Sequence, residues 1–213
     1  LISQFGIKKP DIVIGDLDKD ITNVKDMILW SIVVLIFAFW KRVEIFKNDK
    51  NGVVLIHGDA PPLFLGALMA KLQGLKVAQV EAGLRSFNYF KPFPEEITRV
   101  FSAKAGLIDI FFCQNEKATL NVAPYKKTAF CTHYNTMLDS LRLAKKASLK
   151  KTIAEASGEF AIASLHRFET ISKKKKLEQV VNELIKISKQ IKIIFILHPP
   201  TRVALKKAGL YDL

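Results

Sequence analysis

The 213-residue sequence contains only two cysteines, Cys113 and Cys131. Two cysteines are too few for a disulfide-stabilised scaffold or for a metal site built from cysteines alone. The first residues also lack the basic start and the apolar core of a secretory signal peptide. We therefore expect a reduced protein in the cytoplasm.

Common motifs for binding phosphates and metals are absent as well. The sequence contains no P-loop, no G-x-G-x-x-G fingerprint and no H-E-x-x-H pair. Its four histidines are far apart along the chain, so they do not form a convincing set of metal ligands. We expect no metal site.

Acidic residues are scarce relative to basic ones. The chain has 20 Asp and Glu residues against 33 Lys and Arg residues, which gives a formal net charge of +13. A basic surface attracts nucleic acids, anionic lipids and phosphorylated metabolites. The lysine runs, such as 173–176, contain no aromatic residues that could stack on bases. We therefore expect solvated helix faces rather than a nucleic-acid partner.

An apolar run from Met27 to Trp40 is interrupted only by Ser31 and is followed by Lys41 and Arg42. As a helix its 14 residues would extend about 21 Å, which is less than the ~30 Å hydrocarbon core of a bilayer. The run therefore predicts a buried helix. Contact with a membrane surface is the second interpretation, because tryptophans and basic residues flank the run, and a membrane span is the weakest.

Short apolar runs alternate with helical patterns along the chain, and 49% of the residues are hydrophobic. The predicted strands are 53–57, which we expect to be buried, 75–80, 107–113, 128–131, 160–165 and 191–197. The predicted helices are 62–73, 95–105, 135–149 and 174–190, with others beginning at Asn115 and Thr201. This alternation is typical of α/β proteins with parallel sheets. The pattern restarts after Gly158, which predicts two domains, 1–157 and 158–213.

Histidines, carboxylates and arginines follow several of the predicted strands. Ligands bind at the carboxyl ends of the strands in such sheets. The residues at these positions are His57, Asp59, Glu81, Arg85, His166, Glu169 and His198. The mixture suits acid–base chemistry on a phosphorylated substrate. Each residue also has a structural interpretation, since Asp59 could cap the next helix and Glu81 could pair with Arg85.

The segment PFPEEITR at 92–99 adds two further candidates. Pro94 suits the position just before a helix, so Glu95, Glu96 and Arg99 would lie in the first turns. Glu95 and Arg99 are four residues apart and share a helix face, which favours an ion pair between them. The alternative places both residues beside Glu81 in the site, and the sequence leaves the two interpretations open.

The chain resembles the non-hydrolysing UDP-N-acetylglucosamine 2-epimerases in five segments. These are HGD at 57–59, VEAGLRSFN at 80–88, PFPEEITR at 92–99, SLHRFE at 164–169 and ILHPP at 196–200. The resemblance implies two Rossmann-like domains in a glycosyltransferase-B-type arrangement, with the active site between them. It further implies a cytoplasmic homodimer that acts on a UDP-sugar without a metal or nicotinamide cofactor, in cell-surface polysaccharide biosynthesis.

The chemistry implied by the resemblance is the interconversion of UDP-GlcNAc and UDP-ManNAc. UDP leaves by anti elimination to give 2-acetamidoglucal, and it adds again with the proton on the opposite face of C2. The catalytic residues that the resemblance implies are Asp59, Glu81, Glu95 and His166. The implied substrate- and UDP-binding residues are Arg85, Arg99, His198 and Glu169. The sequence does not determine which carboxylate removes the proton. It also leaves open which substituents the sugar carries at C3 and C6.

The chain also departs from the family pattern. It begins after the family's first strand and GTRPE-type loop, and it ends before a D-S-G-G-x-Q-E-E-type segment. We therefore expect a family member truncated at both ends, with an incomplete second domain. The segment Thr132-His133-Tyr134-Asn135 replaces a T-G-N pattern of the family, and a bulky residue there predicts an altered turn. Activity of the chain alone is uncertain, and the alternative is a catalytically inactive remnant or scaffold, membrane-associated through 27–40.

Overall fold

The computed structural model describes residues 6–15, 24–146 and 158–211. Within these ranges the chain forms two compact units. Residues 6–15 and 28–146 form the first unit, and residues 24–27 and 158–211 belong to the second. The assignment of domains to 1–157 and 158–213 stays a prediction.

The first unit contains a parallel sheet of four strands, in the order β1-β2-β3-β4 within the described residues. The strands are β1 (Val53–His57), β2 (Lys76–Ala82), β3 (Ile110–Cys113) and β4 (Thr128–Cys131). Each strand pairs in parallel with the next one along the chain. The carboxyl ends of all four strands therefore lie at one edge of the sheet, where α/β proteins place their ligands.

Helices connect these strands, as parallel pairing requires. α1 (Val24–Ile45) precedes β1, and the connecting helices are α2 (Pro61–Leu72), α3 (Glu95–Lys104) and α4 (Glu116–Val122), the last followed by a 3₁₀ turn at Ala123–Tyr125. α5 (Thr136–Lys146) follows β4. The predicted α/β class with a parallel sheet is confirmed. Residues 147–149, which the sequence assigned to the helix beginning at 135, lie outside the described residues.

The core of the first unit lies between α2, the sheet and α3–α4. Ala67 and Ala70 of α2 are fully buried, because alanine lets the helix approach the sheet closely. Val77 of β2 and Phe111 of β3 are also buried in this core, as is Ile108 just before β3. Burial of apolar side chains on this scale is the main favourable contribution to folding.

The second unit has a smaller sheet and a smaller core within its described residues. Its two parallel strands are β5 (Phe160–Ser164) and β6 (Lys192–Ile196), and its helices are α6 (Phe168–Ile171), α7 (Lys174–Ser188) and α8 (Pro199–Ala208). Leu177, Val181 and Leu205 form the buried cluster. The hydroxyl of the buried Thr201 in α8 donates to the carbonyl of Leu165, which fixes α8 to the chain after β5.

The expectation of a buried helix at 27–40 is wrong for the described structure. The run does form part of α1, but only Val34 and Ala38 are buried, whereas Trp40 is 77% exposed. A helix that is apolar on all sides can pack only one side against its own unit, so the others are left uncovered by the described residues. No helix in the described ranges is long and apolar enough to cross a membrane.

The expectation that 53–57 is a buried strand is also wrong. Leu55 of β1 is 65% exposed and only Ile56 is buried. Val54 and Ile56 face the core, whereas Val53 and Leu55 lie on the opposite face of the strand, which the described residues leave largely uncovered. Several element boundaries differ as well. β3 begins at Ile110 rather than at residue 107, because the side chain of Asp109 is engaged just before it. Oδ2 of Asp109 accepts a hydrogen bond from the backbone amide of Val77 at 2.8 Å.

The last helix begins at Pro199, two residues before the predicted start at Thr201. Proline suits the first turn of a helix because its fixed φ is helical and its missing N–H would have no partner there. His133 has a φ of 56°, so it adopts the left-handed conformation that favours glycine. The backbone at this turn is therefore of the kind that a glycine would adopt, although a histidine occupies it.

Candidate active site

Glu81 lies at an irregularity near the end of β2. The pairing of β2 with β3 shifts register between Val80 and Ala82, and Glu81 between them has a φ of 60°. The sequence placed Glu81 after the strand, but the bulge extends β2 past it. A left-handed glutamate costs backbone energy, and such strain in native proteins concentrates at functional sites.

The carboxylate of Glu81 pairs with the imidazole of His57 at the end of β1. Glu81 Oε2 is 3.2 Å from His57 Nε2, and the same nitrogen is 3.4 Å from the hydroxyl of Thr136. The sequence placed His57 at the ligand-binding edge, but the catalytic and binding roles that the resemblance implies did not include it. Its position at the end of a predicted strand, close to Asp59, was the available signal. The alternative that Glu81 pairs with Arg85 is wrong, since Arg85 pairs with Glu96.

Asp59 is held by an arginine rather than by a helix end. Its Oδ2 accepts from Nε of Arg99 at 2.9 Å and also from Nη2 of the same guanidinium. The alternative that Asp59 caps α2 is wrong, because Ala60 occupies the N-cap position and no side chain caps it. The loop is tied to β2 by the side-chain amide of Gln79, which donates to the carbonyl of Gly58 at 2.9 Å.

Glu96 is the buried anion that organises this edge of the sheet. It is 0% exposed. One oxygen accepts from Arg85 Nε at 2.6 Å and from the amide of Phe87 at 3.3 Å. The other accepts from the amide of Ser86 at 3.0 Å and from Arg99 Nη1 at 3.2 Å. Burial alone would raise the pKa of Glu96, but the bonds from Ser86, Arg85 and Arg99 lower it overall.

The sequence did not identify Glu96 as a site residue. Both glutamates of the PEE segment fit the first turn of a helix, and only Glu95 matched the family's catalytic position. The available signal was helical spacing, because Glu96 lies on the same stripe as Val100 and Ala103, which are both buried. A charged residue on a buried stripe needs partners, and two arginines are close in the sequence.

Arg85, Arg99, Asp59 and Glu96 thus form one network of ion pairs. Glu81, Arg85 and Arg99 also line a small cavity of about 20 Å³. The loop that carries Arg85 begins at Gly83, whose φ is 80° and where a Cβ would lie 2.1 Å from the carbonyl oxygen of Ala118. Only glycine fits this close approach, and the position of Arg85 therefore depends on it.

Glu95 has a different environment from Glu96. It lies at the start of α3, and its Oε2 is buried without a hydrogen-bond partner among the described residues. The interpretation of Glu95 as the i, i+4 partner of Arg99 is wrong, because Arg99 bonds to Asp59 and Glu96 instead. A buried carboxylate oxygen without a partner is costly, and such groups are frequently catalytic or contact a ligand.

Two histidines lie together at the carboxyl ends of the strands of the second unit. The rings of His166 and His198 have centroids 5.1 Å apart, and His198 Nε2 is 3.2 Å from the hydroxyl of Ser164. Glu169 lies in the first turn of α6. The single cleft that the sequence predicted from residues of both domains stays a prediction.

The arrangement in the first unit is suited to moving protons. It offers three carboxylates in different surroundings, one paired with histidine, one paired with arginine and one with a free oxygen. Groups whose surroundings differ can take separate acid and base roles. Among the described residues, no group of three or more His, Cys, Asp or Glu side chains is arranged to hold a metal ion.

Comparison with known proteins gives consistent matches. Residues 1–211 match the family model described as UDP-N-acetylglucosamine 2-epimerase. A Methanococcus maripaludis protein described as a UDP-N-acetylglucosamine 2-epimerase homolog is 32% identical, over 81% of this chain and 48% of its own length. The Pseudomonas aeruginosa UDP-2,3-diacetamido-2,3-dideoxy-D-glucuronate 2-epimerase is also 32% identical, over 78% of this chain and 48% of its own length.

A solved structure agrees with these sequence matches. The Methanocaldococcus jannaschii UDP-GlcNAc 2-epimerase, in complex with UDP-GlcNAc and UDP, superposes with a TM-score of 0.70 and 28% sequence identity. The match covers 85% of this chain and 52% of that protein. The chain therefore spans about half the length of the relatives that it matches.

Proposed function

The chain belongs to the UDP-N-acetylglucosamine 2-epimerase family, and on that basis we propose that it acts in the interconversion of UDP-GlcNAc and UDP-ManNAc. The substrate class is a UDP-sugar with an acetamido group at C2. The relative from Pseudomonas aeruginosa is named for a 2,3-diacetamido glucuronate, so the substituents at C3 and C6 stay open within this class.

The proposed reaction has two steps. A carboxylate removes the proton from C2 while the C1–O bond breaks, its electron pair leaves with UDP, and a C1–C2 double bond forms. UDP then adds again to C1, and a second acid delivers a proton to the opposite face of C2. Because the two proton transfers occur on opposite faces, the reaction needs more than one general acid or base. Asp59, Glu81 and Glu95 are the proposed candidates.

The arginines have a separate proposed role. UDP gains negative charge as it departs, and a preorganised cation stabilises such charge in the transition state. Arg85 and Arg99 are already fixed by Glu96, so they need little reorganisation when the charge develops. His166 and His198 of the second unit, with Glu169, are proposed to act on the substrate and on UDP, as the family resemblance implies.

One observation carries this proposal more than any other. Glu81 has a left-handed backbone inside a strand bulge, and its side chain lines the same small cavity as Arg85 and Arg99. Strain of this kind persists only where the surrounding structure enforces it. A base held beside two fixed cations is what elimination of a nucleoside diphosphate requires.

The proposal is tested first by binding and then by turnover. UDP and UDP-GlcNAc are titrated into the full chain by calorimetry, and epimerisation is followed by NMR. We expect Glu81→Gln and Asp59→Asn to lower turnover by about 100-fold or more, since general acid–base catalysis contributes about 10²–10⁴-fold. Glu116→Gln, an exposed glutamate in the first turn of α4, is the matched control and should keep full activity.

Two results would contradict the proposal. Near-normal turnover in both site variants would refute the assignment of the residues. Binding of UDP-GlcNAc without any turnover would support the alternative of a non-catalytic member of the family.

We also propose that the chain acts as a homodimer in the cytoplasm, with α1 as the contact surface. Leu29, Ile36 and Trp40 are all more than half exposed, and an exposed apolar patch marks an interaction site. Sedimentation equilibrium of the full chain should give a dimer that Ile36→Lys dissociates. A monomer that instead binds anionic lipid vesicles through α1 would favour membrane-surface contact.

A further inference from the structure

The two cysteines of the chain lie beside each other at the carboxyl edge of the four-stranded sheet. Cys113 ends β3 and Cys131 ends β4, and the two residues are register partners in the parallel pairing of these strands. The preceding register partners, Phe112 and Phe130, stack with their ring centroids 5.6 Å apart. Because successive side chains of a strand alternate between faces, the two cysteine side chains share the opposite face of the sheet.

The spacing of the strands brings these two thiols within reach of each other. Neighbouring strands lie about 4.8 Å apart, and the Cα atoms of disulfide-bonded cysteines are usually about 4.4–6.8 Å apart. Both cysteines are free thiols in the structure. The register therefore places Cys113 and Cys131 within the range that a disulfide bridges.

The two thiols have different surroundings. Cys113 is 0% exposed and belongs to the core of the first unit. Burial raises the pKa of the Cys113 thiol, which outweighs a hydrogen bond with Thr119 that lowers it, and the nearby Cys131 raises it as well. A buried thiol that keeps its proton reacts slowly. Cys131 is only partly buried, so a small reagent in solution reaches it first.

His133 gives Cys131 a basic neighbour. Nδ1 of His133 is 3.7 Å from Sγ of Cys131, which is within hydrogen-bond distance for sulfur. Thr132 between them is anchored, because its amide and its hydroxyl both donate to the carbonyl of Cys113, at 2.8 and 3.1 Å. An imidazole held in this position accepts the thiol proton and leaves the thiolate, which is the nucleophilic form of cysteine.

We propose that Cys131 and Cys113 form a peroxide-sensitive thiol pair, in which Cys131 reacts first and Cys113 completes a reversible disulfide. In the first step His133 takes the thiol proton, and the thiolate of Cys131 attacks one oxygen of a hydroperoxide. An S–O bond forms as the O–O bond breaks. With hydrogen peroxide, the leaving hydroxide takes the proton from the imidazolium and departs as water, and Cys131 becomes a sulfenic acid.

In the second step the sulfur of Cys113 attacks the sulfur of the sulfenic acid. An S–S bond forms, the S–O bond breaks, and the oxygen leaves as water with the proton of the second thiol. The two thiols together lose two electrons, and one hydrogen peroxide is reduced to two molecules of water. A small-molecule thiol reverses the disulfide by thiol–disulfide exchange.

The thiol pair adjoins the proposed catalytic edge. Gln114 and Thr132, which directly follow the two cysteines, line a cavity of about 350 Å³ together with Glu81. Oxidation of the pair therefore modifies the chain next to the proposed site, although the thiol chemistry itself does not depend on the proposed function.

The test maps the cysteines of the full chain after treatment with hydrogen peroxide. Remaining thiols are alkylated with iodoacetamide, and tryptic peptides are identified by mass spectrometry without reduction. Trypsin leaves Cys113 in the peptide 105–117 and Cys131 in the peptide 128–142. We expect a disulfide to join these two peptides and dithiothreitol to separate them. A non-reducing gel should show a monomer, because the bond forms within one chain.

Two variants separate the roles of the residues. Cys113→Ala removes the second thiol, so the sulfenic acid of Cys131 should accumulate and react with dimedone. His133→Asn removes the imidazole, and asparagine still adopts a left-handed backbone readily. This variant should slow the alkylation of Cys131 by about threefold or more. The matched control is Tyr134→Phe at the adjacent exposed position, which should leave the rate unchanged.

Four results would each overturn the inference, with circular dichroism confirming that the chain is folded. Hydrogen peroxide could leave the two peptides separate, or join chains only as covalent dimers. Iodoacetamide could alkylate Cys113 of the folded wild type faster than Cys131. Finally, Cys131 could react at the wild-type rate in His133→Asn, which would show that the imidazole does not activate the thiol.

Discussion

Glu96 illustrates what one buried carboxylate does in this molecule. It joins Arg85, Arg99 and the loop amides of Ser86 and Phe87. The sequence identified Asp59, Glu81 and Glu95 as candidates because of their place after strands or in a family motif. It did not identify Glu96, because its importance depends on which side of α3 faces inward. The partners of a charge are set by three-dimensional packing, which the local spacing of residues does not determine.

Replacement of Glu96 should destabilise the first unit strongly. Glu96→Gln leaves Arg85 without its buried counter-ion and Arg99 with Asp59 alone, and breaking a buried pair costs about 3–5 kcal/mol. Glu95→Gln, one residue away, should change the free energy of unfolding by only about 1 kcal/mol, because its Oε2 has no partner among the described residues. Urea unfolding of both variants measures the difference, and equal losses would contradict this account of the network.

The same carboxylate predicts how stability depends on pH. The pKa of Glu96 lies below its usual value of 4.5, because the bonds from Ser86 and the arginines outweigh burial. Asp109 is similar, since bonds from Lys71 and Val77 outweigh burial and lower its pKa below 3.8. The folded state therefore binds fewer protons than the unfolded state. The stabilisation is complete above about pH 5 and is lost as the pH falls through the folded values.

Urea unfolding between pH 3 and pH 7 measures this dependence. Stability should fall as the pH decreases below about 4.5, and the double variant Glu96→Gln/Asp109→Asn should show a flatter profile. The exposed Glu116→Gln should follow the wild type. A double variant with the full acid sensitivity of the wild type would show that other groups are responsible.

Among the secondary-structure elements, the order of strands and helices was readable from the sequence but the burial of individual elements was not. Alternating apolar runs and amphipathic stretches correctly predicted β2, α3, β4 and α7. Only the predicted burial of β1 and α1 failed, because an apolar run looks the same whether or not other parts of the chain cover it. The spacing of apolar residues does not reveal a β-bulge either. The predicted strand therefore ends at residue 80, two residues before the end of β2.

Because the core of the second unit is small, its stability should be sensitive to the shortening of a buried side chain in α7. Leu177 is 1% exposed and belongs to a cluster with only two other buried side chains in the described residues. Leu177→Ala should cost about 2–5 kcal/mol, as large-to-small changes in cores do. Ile187→Ala on the same helix is the control, because Ile187 is 45% exposed. Urea unfolding followed by circular dichroism measures the free energy of unfolding of both variants. Equal losses of stability would contradict this account.

For the molecule as a whole, the family and the α/β class were evident from five short segments, whereas the arrangement of charges was not. A net charge of +13 is consistent with the proposed anionic substrate. The segments that carry the resemblance place their charged residues after strands in each unit or at the start of α3. Their proposed role as a general acid–base set could be inferred from the predicted topology, but the partner of each charge follows only from the folded structure.

Exchange of the C2 proton with solvent tests this account most directly. The full chain is incubated with UDP-GlcNAc in D₂O, and deuterium at C2 is measured by NMR and mass spectrometry. We predict that both epimers acquire deuterium at C2 and at no other carbon, and that Glu81→Gln slows the incorporation by about 100-fold or more. A folded chain that binds UDP-GlcNAc but leaves its C2 proton in place would contradict the assignment of these carboxylates.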